Sequence, residues 1–447
     1  MGTALETLLE YRHASDAYDV PFAEVCELQV AAMNERLQDR IDRIRLVKFR
    51  AEAAGLTAIT NFADVVPLLL PHTAYKSYPE NFLLEEKWHR LTAWLGTVST
   101  YPLDDVDLEG IAGVDDWIAR LDAAGHPVSC SSGTTGKSAM LIASQADLDW
   151  VSDDAVRACT WALGVEAEQD RQVFNLSPIA AVPRNIALLD RLQHAFGKPG
   201  TELFRYPVPP ITIGAVTRMV ALRKAVAEGK AMPAEIAEFE RTGSERAQAL
   251  EAAIGITVDA LLNVRGEKLY LAGYWAGLYK LAVAVRERGF AAKDFHPANI
   301  SFIGGGLKRE DVPADYQEFI CETFNIAPGG NFQFYGMQEL GSIEPRCGNG
   351  RYHIPPWVVC LPLNKAADAL LPMEGEVQCR AGFFDLSLDG RWGGVITGDR
   401  IEVDFEPCAC GARSPSIRDN VVRYADLEGD DKINCAGTVD AYVRGLA

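Results

Sequence analysis

Long hydrophobic runs are missing from this chain of 447 residues. No uninterrupted apolar stretch approaches the roughly 18 to 20 residues that a helix needs to cross a bilayer. The N-terminal segment, from Met1 to Tyr11, is acidic and amphipathic and lacks the apolar centre of a signal peptide. We therefore expect a soluble, cytoplasmic protein without a membrane span. Hydrophobic residues make up 48% of the sequence, which is enough to bury a large core.

Positive charge is also scarce. The chain has 43 lysines and arginines against 62 aspartates and glutamates, which gives a formal net charge of -19. Proteins that bind the phosphate backbone of nucleic acids rely on clustered lysine and arginine. We therefore expect no nucleic-acid partner, and any anionic ligand must be held by local donors or by a cation.

A dense cysteine framework is also missing. The ten cysteines are scattered and lack the dense, regular spacing of a secreted disulfide scaffold. Reduced thiols are the expectation. A group of three cysteines with one histidine is treated separately below.

Internal repeats and low-complexity segments are absent, and hydrophobic periodicity divides the chain into four segments. They are a helical segment 1–60, an α/β core 61–370 with a helical insertion 215–290, a β-rich segment 371–425 and a short tail 426–447. The periodicity predicts helices at 147–163, 185–196, 217–228, 234–239, 244–253 and 272–288, and strands at 171–178 and 299–303. The expected fold class is α/β, with mixed sheets covered by helices.

The densest cluster of glycine, serine and threonine lies between an apolar strand and a second apolar run. It reads Ser129-Cys130-Ser131-Ser132-Gly133-Thr134-Thr135-Gly136-Lys137-Ser138. Backbone N–H groups of such a loop can converge on an anion, and hydroxyls and a lysine add donors for phosphate oxygens. A P-loop would need glycine where Ser131 stands. The pattern instead resembles the phosphate loop of adenylate-forming enzymes.

Further motifs follow in the order that this resemblance implies. They are Gly304-Gly305-Gly306 after a predicted strand, Phe334-Tyr335-Gly336-Met337-Gln338-Glu339, and Thr397-Gly398-Asp399-Arg400. The resemblance implies an adenine slot formed by the three glycines with Tyr335, Gly336 and Met337. It implies Mg²⁺ on Glu339, ribose on Asp399 with Arg418 or Arg423, and catalytic roles for Lys137 and Glu339, so that ATP and Mg²⁺ are the expected cofactors.

Cys347, His353, Cys408 and Cys410 could together form a metal site. Three thiolates and one imidazole from two separated loops are a ligand set for a closed tetrahedral structural Zn²⁺ site. The alternative is four unrelated residues, because the Cys-x-Cys spacing is tighter than the usual Cys-x₂-Cys. The sequence favours structural zinc on ligand type and number.

The order of these motifs resembles both phenylacetate-CoA ligase-like enzymes and the acyl-protein synthetase of bacterial bioluminescence. The resemblance covers residues 60–435 approximately and matches 215–290 poorly. It implies a large adenylation domain. The start of the tail 426–447 resembles the hinge that opens the swinging C-terminal domain of such enzymes, and because the chain ends soon after it, no full domain of that kind is expected. The lysine that such a domain supplies would then be missing.

The acyl acceptor is left open by the sequence. By resemblance to the acyl-protein synthetase, Cys435 could take the acyl group and pass it to a partner reductase; a buried, inert cysteine is the simpler interpretation. Coenzyme A is the other thiol acceptor, and an amine would give an amide-forming ligase. Outside this class, the alternatives are a non-catalytic adenylate-binding subunit of a larger assembly and a P-loop phosphotransferase. The carboxylic acid substrate and the oligomeric state are not specified.

Overall fold

The computed structural model describes residues 2–130, 137–305 and 312–428. Its α-helices are α1 Ala4–Glu10, α2 Phe22–Arg40, α3 Arg45–Ala54, α4 Asn81–Leu84, α5 Trp88–Leu95, α6 Val114–Ala123, α7 Gln145–Leu163, α8 Pro183–Phe196, α9 Ile213–Ala227, α10 Pro233–Asn263, α11 Trp275–Glu287, α12 Tyr316–Phe324 and α13 Tyr424–Glu428. Short 3₁₀ helices lie at Tyr11–His13, Phe62–Leu68, His72–Lys76 and Ala292–Asp294.

The strands are β1 Leu70–Pro71, β2 Val128–Cys130, β3 Met140–Ile142, β4 Gln172–Asn175, β5 Phe204–Arg205, β6 Leu269–Gly273, β7 Asn299–Ile303, β8 Ile326–Tyr335, β9 Glu344–Pro345, β10 Arg351–His353, β11 Val358–Leu363, β12 Glu376–Asp385, β13 Gly394–Asp404, β14 Ser416–Arg418 and β15 Val422–Arg423. Backbone contacts divide the described chain into two compact units. Unit 1 contains residues 2–130, 137–154 and 336–428, and unit 2 contains residues 155–305 and 312–335.

Unit 1 combines the N-terminal helices with an antiparallel sheet of order β10-β14-β13-β12-β11. The sequence itself sets the helix ends: the side chain of Thr3 accepts the N–H of Glu6 before α1, and Gly55 ends α3 at a φ of +66°, which favours glycine. The strand β1 pairs in parallel with β13, where Leu70 faces Val395. The sheet therefore pairs two segments that lie more than 300 residues apart in the sequence.

Unit 2 contains a parallel sheet of order β5-β4-β6-β7-β8. Strands of parallel sheets that are covered on both faces are continuous hydrophobic runs, and all five residues of β7 are buried. Apolar side chains of α10, α11 and α12 form one core cluster with residues of β4, β6, β7 and β8. The crossover helices therefore cover this sheet, which places the carboxyl ends of its strands at one edge.

The α/β class predicted from the sequence is confirmed, and so are its most periodic elements. The helix predicted at 147–163 is α7, and the strand predicted at 299–303 is β7 with the same limits. The two short helices predicted at 234–239 and 244–253 are wrong, because a single helix, α10, runs through Gly243. In the described part of the chain, none of the helices combines the length and apolarity that a membrane span requires.

Candidate active site

The segment rich in glycine and serine is flanked by a two-stranded hairpin of unit 1. Strand β2 pairs antiparallel with β3, so that Val128 faces Ile142 and Cys130 faces Met140. Its central residues Ser131, Ser132, Gly133, Thr134, Thr135 and Gly136 lie outside the described residues. The hairpin fixes where this segment leaves and re-enters the fold.

Lys137 and Ser138 follow that segment and are both tied to Tyr78. The ammonium of Lys137 donates to the carbonyl of Tyr78 at 2.7 Å and lies 5.1 Å from the centre of its ring. The hydroxyl of Tyr78 donates to the carbonyl of Ser138 at 2.8 Å. Burial raises the pKa of Tyr78, which keeps this phenol a donor. Tyr78 was not among the residues predicted from the sequence, because the contact spans about sixty positions.

Glu339 is half-buried in a turn whose backbone is held by Arg391. One nitrogen of the Arg391 guanidinium donates to the carbonyls of Gln338 and Glu339, at 3.1 Å each. Another nitrogen donates to the carbonyl of Ile142 on β3 at 2.9 Å. The turn that carries the predicted metal ligand is thereby joined to the hairpin described above. Gly336 and Met337 begin this turn and are half-buried.

A buried carboxylate, Asp385, holds the next residues of the chain. It accepts hydrogen bonds from the N–H groups of Gly341 and Ser342, both at 2.8 Å, and from the N–H and hydroxyl of Ser387 at 3.0 and 2.6 Å. Burial nevertheless raises its pKa. Glu344 is fully buried nearby, and neither of its carboxyl oxygens has a hydrogen-bond partner among the described residues. Burial and the charges of Asp385 and Asp154 raise the pKa of Glu344 well above its usual value.

Asp399 lies on β13 opposite Arg423 of β15. Its carboxylate is 4.0 Å from the guanidinium of Arg423, and its N–H donates to the hydroxyl of Thr397 at 3.0 Å. Arg418, on β14, is instead hydrogen-bonded to Glu376. The structure therefore brings only one of the two candidate ribose-binding arginines, Arg423, next to Asp399.

Four soft side chains converge in unit 1, as their types suggested. The ligand atoms of Cys347, His353, Cys408 and Cys410 all lie within 4.8 Å of one another. The two sulfurs of Cys347 and Cys408 are 4.0 Å apart, and the sulfur of Cys410 is 3.4 Å from Nε2 of His353. The other ring nitrogen, Nδ1, is 3.2 Å from the hydroxyl of Ser414. This leaves Nε2 facing the thiols, as a metal ligand oriented by a second hydrogen bond would be.

The thiols of this cluster differ in their electrostatic surroundings. Burial acts to raise the pKa of Cys347, but the hydrogen bonds from His353 and from backbone N–H groups outweigh it and lower the pKa. Burial raises the pKa of Cys410 to about 12. Tight turns hold both loops: Gly350 at a φ of +75° and Gly411 at +101° each donate to the carbonyl of a cluster cysteine, Cys347 and Cys408 respectively.

Unit 2 holds the remaining predicted residues at the carboxyl edge of its sheet. Gly304 and Gly305 follow β7, and Tyr335 ends the neighbouring strand β8. A side chain at Gly304 would start 3.3 Å from the ring of Tyr274, and Gly305 has a φ of +93°. Both positions therefore favour glycine, and they leave bare backbone at this edge. Gly306 and Cys435 lie outside the described residues.

Among the solved structures with a similar fold are several states of one enzyme. The 2-hydroxyisobutyryl-CoA ligase in the postadenylation state, in complex with R3-HIB-AMP, matches with a TM-score of 0.55 at 13% identity, over 91% of this chain and 69% of that one. Its open conformation with 2-HIB-AMP and CoA gives 0.54 at 11% identity, over 91% and 76%. Its thioesterification state gives 0.54 at 13% identity, over 91% and 69%.

The chain has the fold of an acyl-CoA ligase. At such low sequence identity, the structural similarity shows the architecture alone, and the reaction has to be argued from the residues. No protein-family model matches the sequence, and a search of curated proteins finds no match either.

Proposed function

We propose that this protein uses ATP to activate a carboxylic acid as an enzyme-bound acyl-adenylate and then transfers the acyl group to a thiol. The observation that carries the proposal is the acyl-CoA ligase fold over 91% of the chain. The phosphate, metal and ribose motifs occur along the sequence in the order expected for that chemistry. A branch related to the acyl-protein synthetase or to phenylacetate-CoA ligase is part of the proposal.

In the first step, a carboxylate oxygen attacks the α-phosphorus of ATP and the bond to the bridging oxygen breaks, so that pyrophosphate leaves. The proposal assigns the following roles. Lys137, Ser138 and the segment 131–136 hold phosphates, Asp399 and Arg423 hold ribose, and Gly304 to Gly306 with Tyr335, Gly336 and Met337 hold adenine. The charge that develops on the phosphoryl oxygens is then met by fixed donors.

Glu339 suits a magnesium ligand because it is a half-buried carboxylate on a fixed backbone. Protein sites for Mg²⁺ commonly provide one or two carboxylates and leave the remaining positions to substrate phosphates and water. Bound there, Mg²⁺ would neutralise phosphate charge during adenylation. The chain's own contribution is to orient the carboxylate.

In the second step, a thiolate attacks the acyl carbonyl and AMP leaves with the bonding electrons. Coenzyme A is the acceptor we favour on the fold, since the similar ligase has been captured with CoA. Transfer to Cys435 and onward to a partner reductase is the alternative within the same chemistry. An amine acceptor would give an amide by the same attack.

The deciding experiment is the acid-dependent exchange of labelled pyrophosphate into ATP, across aryl, short-chain, hydroxylated and long-chain acids with Mg²⁺. We expect exchange with at least one class of acid, and AMP as the nucleotide product when CoA is added. Tight ATP binding without exchange for any acid would favour a non-catalytic adenylate-binding subunit. ADP as the product would contradict adenylation and favour a phosphotransferase.

We also propose that Cys347, His353, Cys408 and Cys410 hold a structural zinc ion. Three sulfurs and one nitrogen match the ligand number and softness of closed zinc sites. The ion would join the turn after β9 to the loop after β13, the strand that carries Asp399. Its role would be to hold these segments of unit 1 in place.

Replacing Cys408 with serine is expected to remove this zinc. Purified wild-type protein should contain about one zinc per chain, and Cys408→Ser should contain less than about a tenth of that. Its melting temperature should fall by at least about 5 °C. This corresponds to a loss of roughly 2 kcal/mol of stability, because 1 kcal/mol shifts the melting temperature of a large domain by roughly 2–4 °C. Elemental analysis and calorimetry measure both. Cys26→Ser, a half-exposed cysteine outside the cluster, is the control and should keep its zinc. Full zinc content in Cys408→Ser would disprove the site.

A further inference from the structure

Arg391 is a buried cation whose hydrogen bonds go to backbone carbonyls. Its residue is only 3% exposed. It donates to the carbonyls of Ile142, Gln338 and Glu339. The first of these lies on β3, and the other two lie in the turn with the predicted metal ligand. Burying a guanidinium is costly unless its donors are used. Both terminal nitrogens of Arg391 use donors on these three carbonyls, whereas its Nε has no hydrogen-bond partner among the described residues.

The segment around Arg391 is itself fixed to the same hairpin region. Asp147, which follows β3, accepts from the N–H groups of Asp389 and Gly390 at 2.7 and 2.8 Å. The carbonyl of Gly390 accepts from the N–H of Thr100 at 2.9 Å. A side chain on Gly390 would meet the backbone of Ala143 at 2.6 Å. The backbone immediately before Arg391 is therefore fixed by contacts with Asp147 and Thr100.

Tyr75 is a fully buried phenol that the charges of both Arg391 and Glu339 affect. Burial raises the pKa of Tyr75 to about 12, while the charge of Arg391 acts to lower it and the charge of Glu339 to raise it. The phenol is thus within electrostatic reach of both groups.

Only arginine can make this set of bonds. Its planar fork offers several N–H donors in fixed directions, whereas the ammonium of lysine is a compact charge on a flexible stem. A lysine in the same space could reach one of the carbonyls and would leave the others without this donor. A methionine of similar length would make none of these bonds.

We propose that Arg391 is a positioning residue for adenylation. By joining the backbone of Gln338 and Glu339 to β3, it sets the place of the Glu339 carboxylate relative to the hairpin that flanks the segment 131–136. The inference rests on the proposed function, because Arg391 can act as a positioning residue only if Glu339 binds the metal of the metal-nucleotide complex. It adds a residue that no sequence motif contains.

The test compares Arg391→Lys and Arg391→Met with Arg171→Lys. Arg171 is a matched control in unit 2: it is 5% exposed and donates through Nη1 to the carbonyl of Ala298 at 2.5 Å. For each protein, pyrophosphate exchange is measured against Mg²⁺ and ATP concentration. ATP affinity is measured by calorimetry with Mg²⁺ and with EDTA, and melting temperature is recorded.

We expect kcat for exchange to fall about 10-fold in Arg391→Lys and about 100-fold in Arg391→Met, since misplacement of a catalytic group by 1 Å can cost that much. The Mg²⁺ concentration for half-maximal activity should rise at least about fivefold. Metal-free ATP affinity should change less than about twofold, and Arg171→Lys should keep wild-type Mg²⁺ dependence. If Arg391→Met does not fold, Arg391→Lys still provides every measurement.

Unchanged Mg²⁺ dependence in Arg391→Lys, or an equal kinetic loss in Arg171→Lys, would overturn the positioning role and leave adenylation standing. Wild-type protein that binds ATP without exchange would refute the proposed function. In that case calorimetry still tests Arg391, because the gain in ATP affinity on adding Mg²⁺ should shrink in Arg391→Lys. Wild-type protein that binds no ATP would refute both.

Discussion

Glu339→Gln is expected to lower acid-dependent pyrophosphate exchange by about 10²- to 10³-fold, the range seen when one electrostatic contact to a transition state is removed. Glutamine keeps the size of the side chain and removes its charge. The hydrogen bonds from Arg391 go to backbone carbonyls and are unaffected by the change. Activity should therefore be lost while the turn keeps its conformation.

The measurement is the exchange rate at saturating ATP over a range of Mg²⁺ and Mn²⁺ concentrations. The melting temperature of Glu339→Gln should stay within about 2 °C of wild type, because exposed or half-exposed substitutions usually change stability by less than about 0.5 kcal/mol. Glu374→Gln, an exposed glutamate, controls for the loss of one negative charge. Exchange at wild-type rates in Glu339→Gln would remove this residue from the proposed metal site.

Asp385→Ala is expected to lower the free energy of unfolding by about 3 kcal/mol or more, because each buried donor left without its acceptor costs about 1–3 kcal/mol. The carboxylate is 1% exposed and accepts from three backbone N–H groups and two hydroxyls, those of Ser342 and Ser387. Alanine would leave those N–H groups buried without an acceptor and would open a cavity. Both effects act in the same direction.

Chemical denaturation followed by tryptophan fluorescence measures this loss in the transition that unfolds unit 1. Asp385→Asn keeps the volume and one acceptor oxygen, so its loss should be intermediate. Asp368→Ala removes an exposed carboxylate that accepts from the side chain of Asn364 and should cost less than about 0.5 kcal/mol. A loss below about 1 kcal/mol in Asp385→Ala would show that the turn at Gly341 and Ser342 does not depend on this acceptor.

Elements with strong local periodicity were predictable from the sequence, and elements that depend on distant contacts were not. Helix α7 and strand β7 follow from their own hydrophobic patterns. The sequence predicts a break at 240–243, a segment that includes Gly243, and glycine lowers helix propensity by about 1 kcal/mol. In the structure, Arg241 pairs with Glu238 and, across that glycine, with Glu245, as neighbours three and four residues apart on one helix do.

In the candidate site too, some residues could be predicted from the sequence and others could not. The four possible zinc ligands could be grouped from their chemical types, and the structure brings them together. Arg391 and Asp385 carry no local signal, because an arginine 249 residues from the carbonyl it binds looks like any other arginine in a sequence. The sequence alone could not show which of Arg418 and Arg423 lies beside Asp399, because this depends on strand pairing. In the structure, Arg423 lies opposite Asp399.

The pairing of β1 with β13 also constrains the order in which the protein can fold during its synthesis. Leu70 must wait for Val395, and at about 5–20 residues per second the ribosome needs roughly 15 to 65 s to deliver it. The parallel strands of unit 2 all emerge before that point. Unit 2 can therefore form its sheet while Leu70, which is fully buried in the finished protein, still lacks its partner strand. The sheet of unit 1 can be completed at β1 only after β13 has been synthesised.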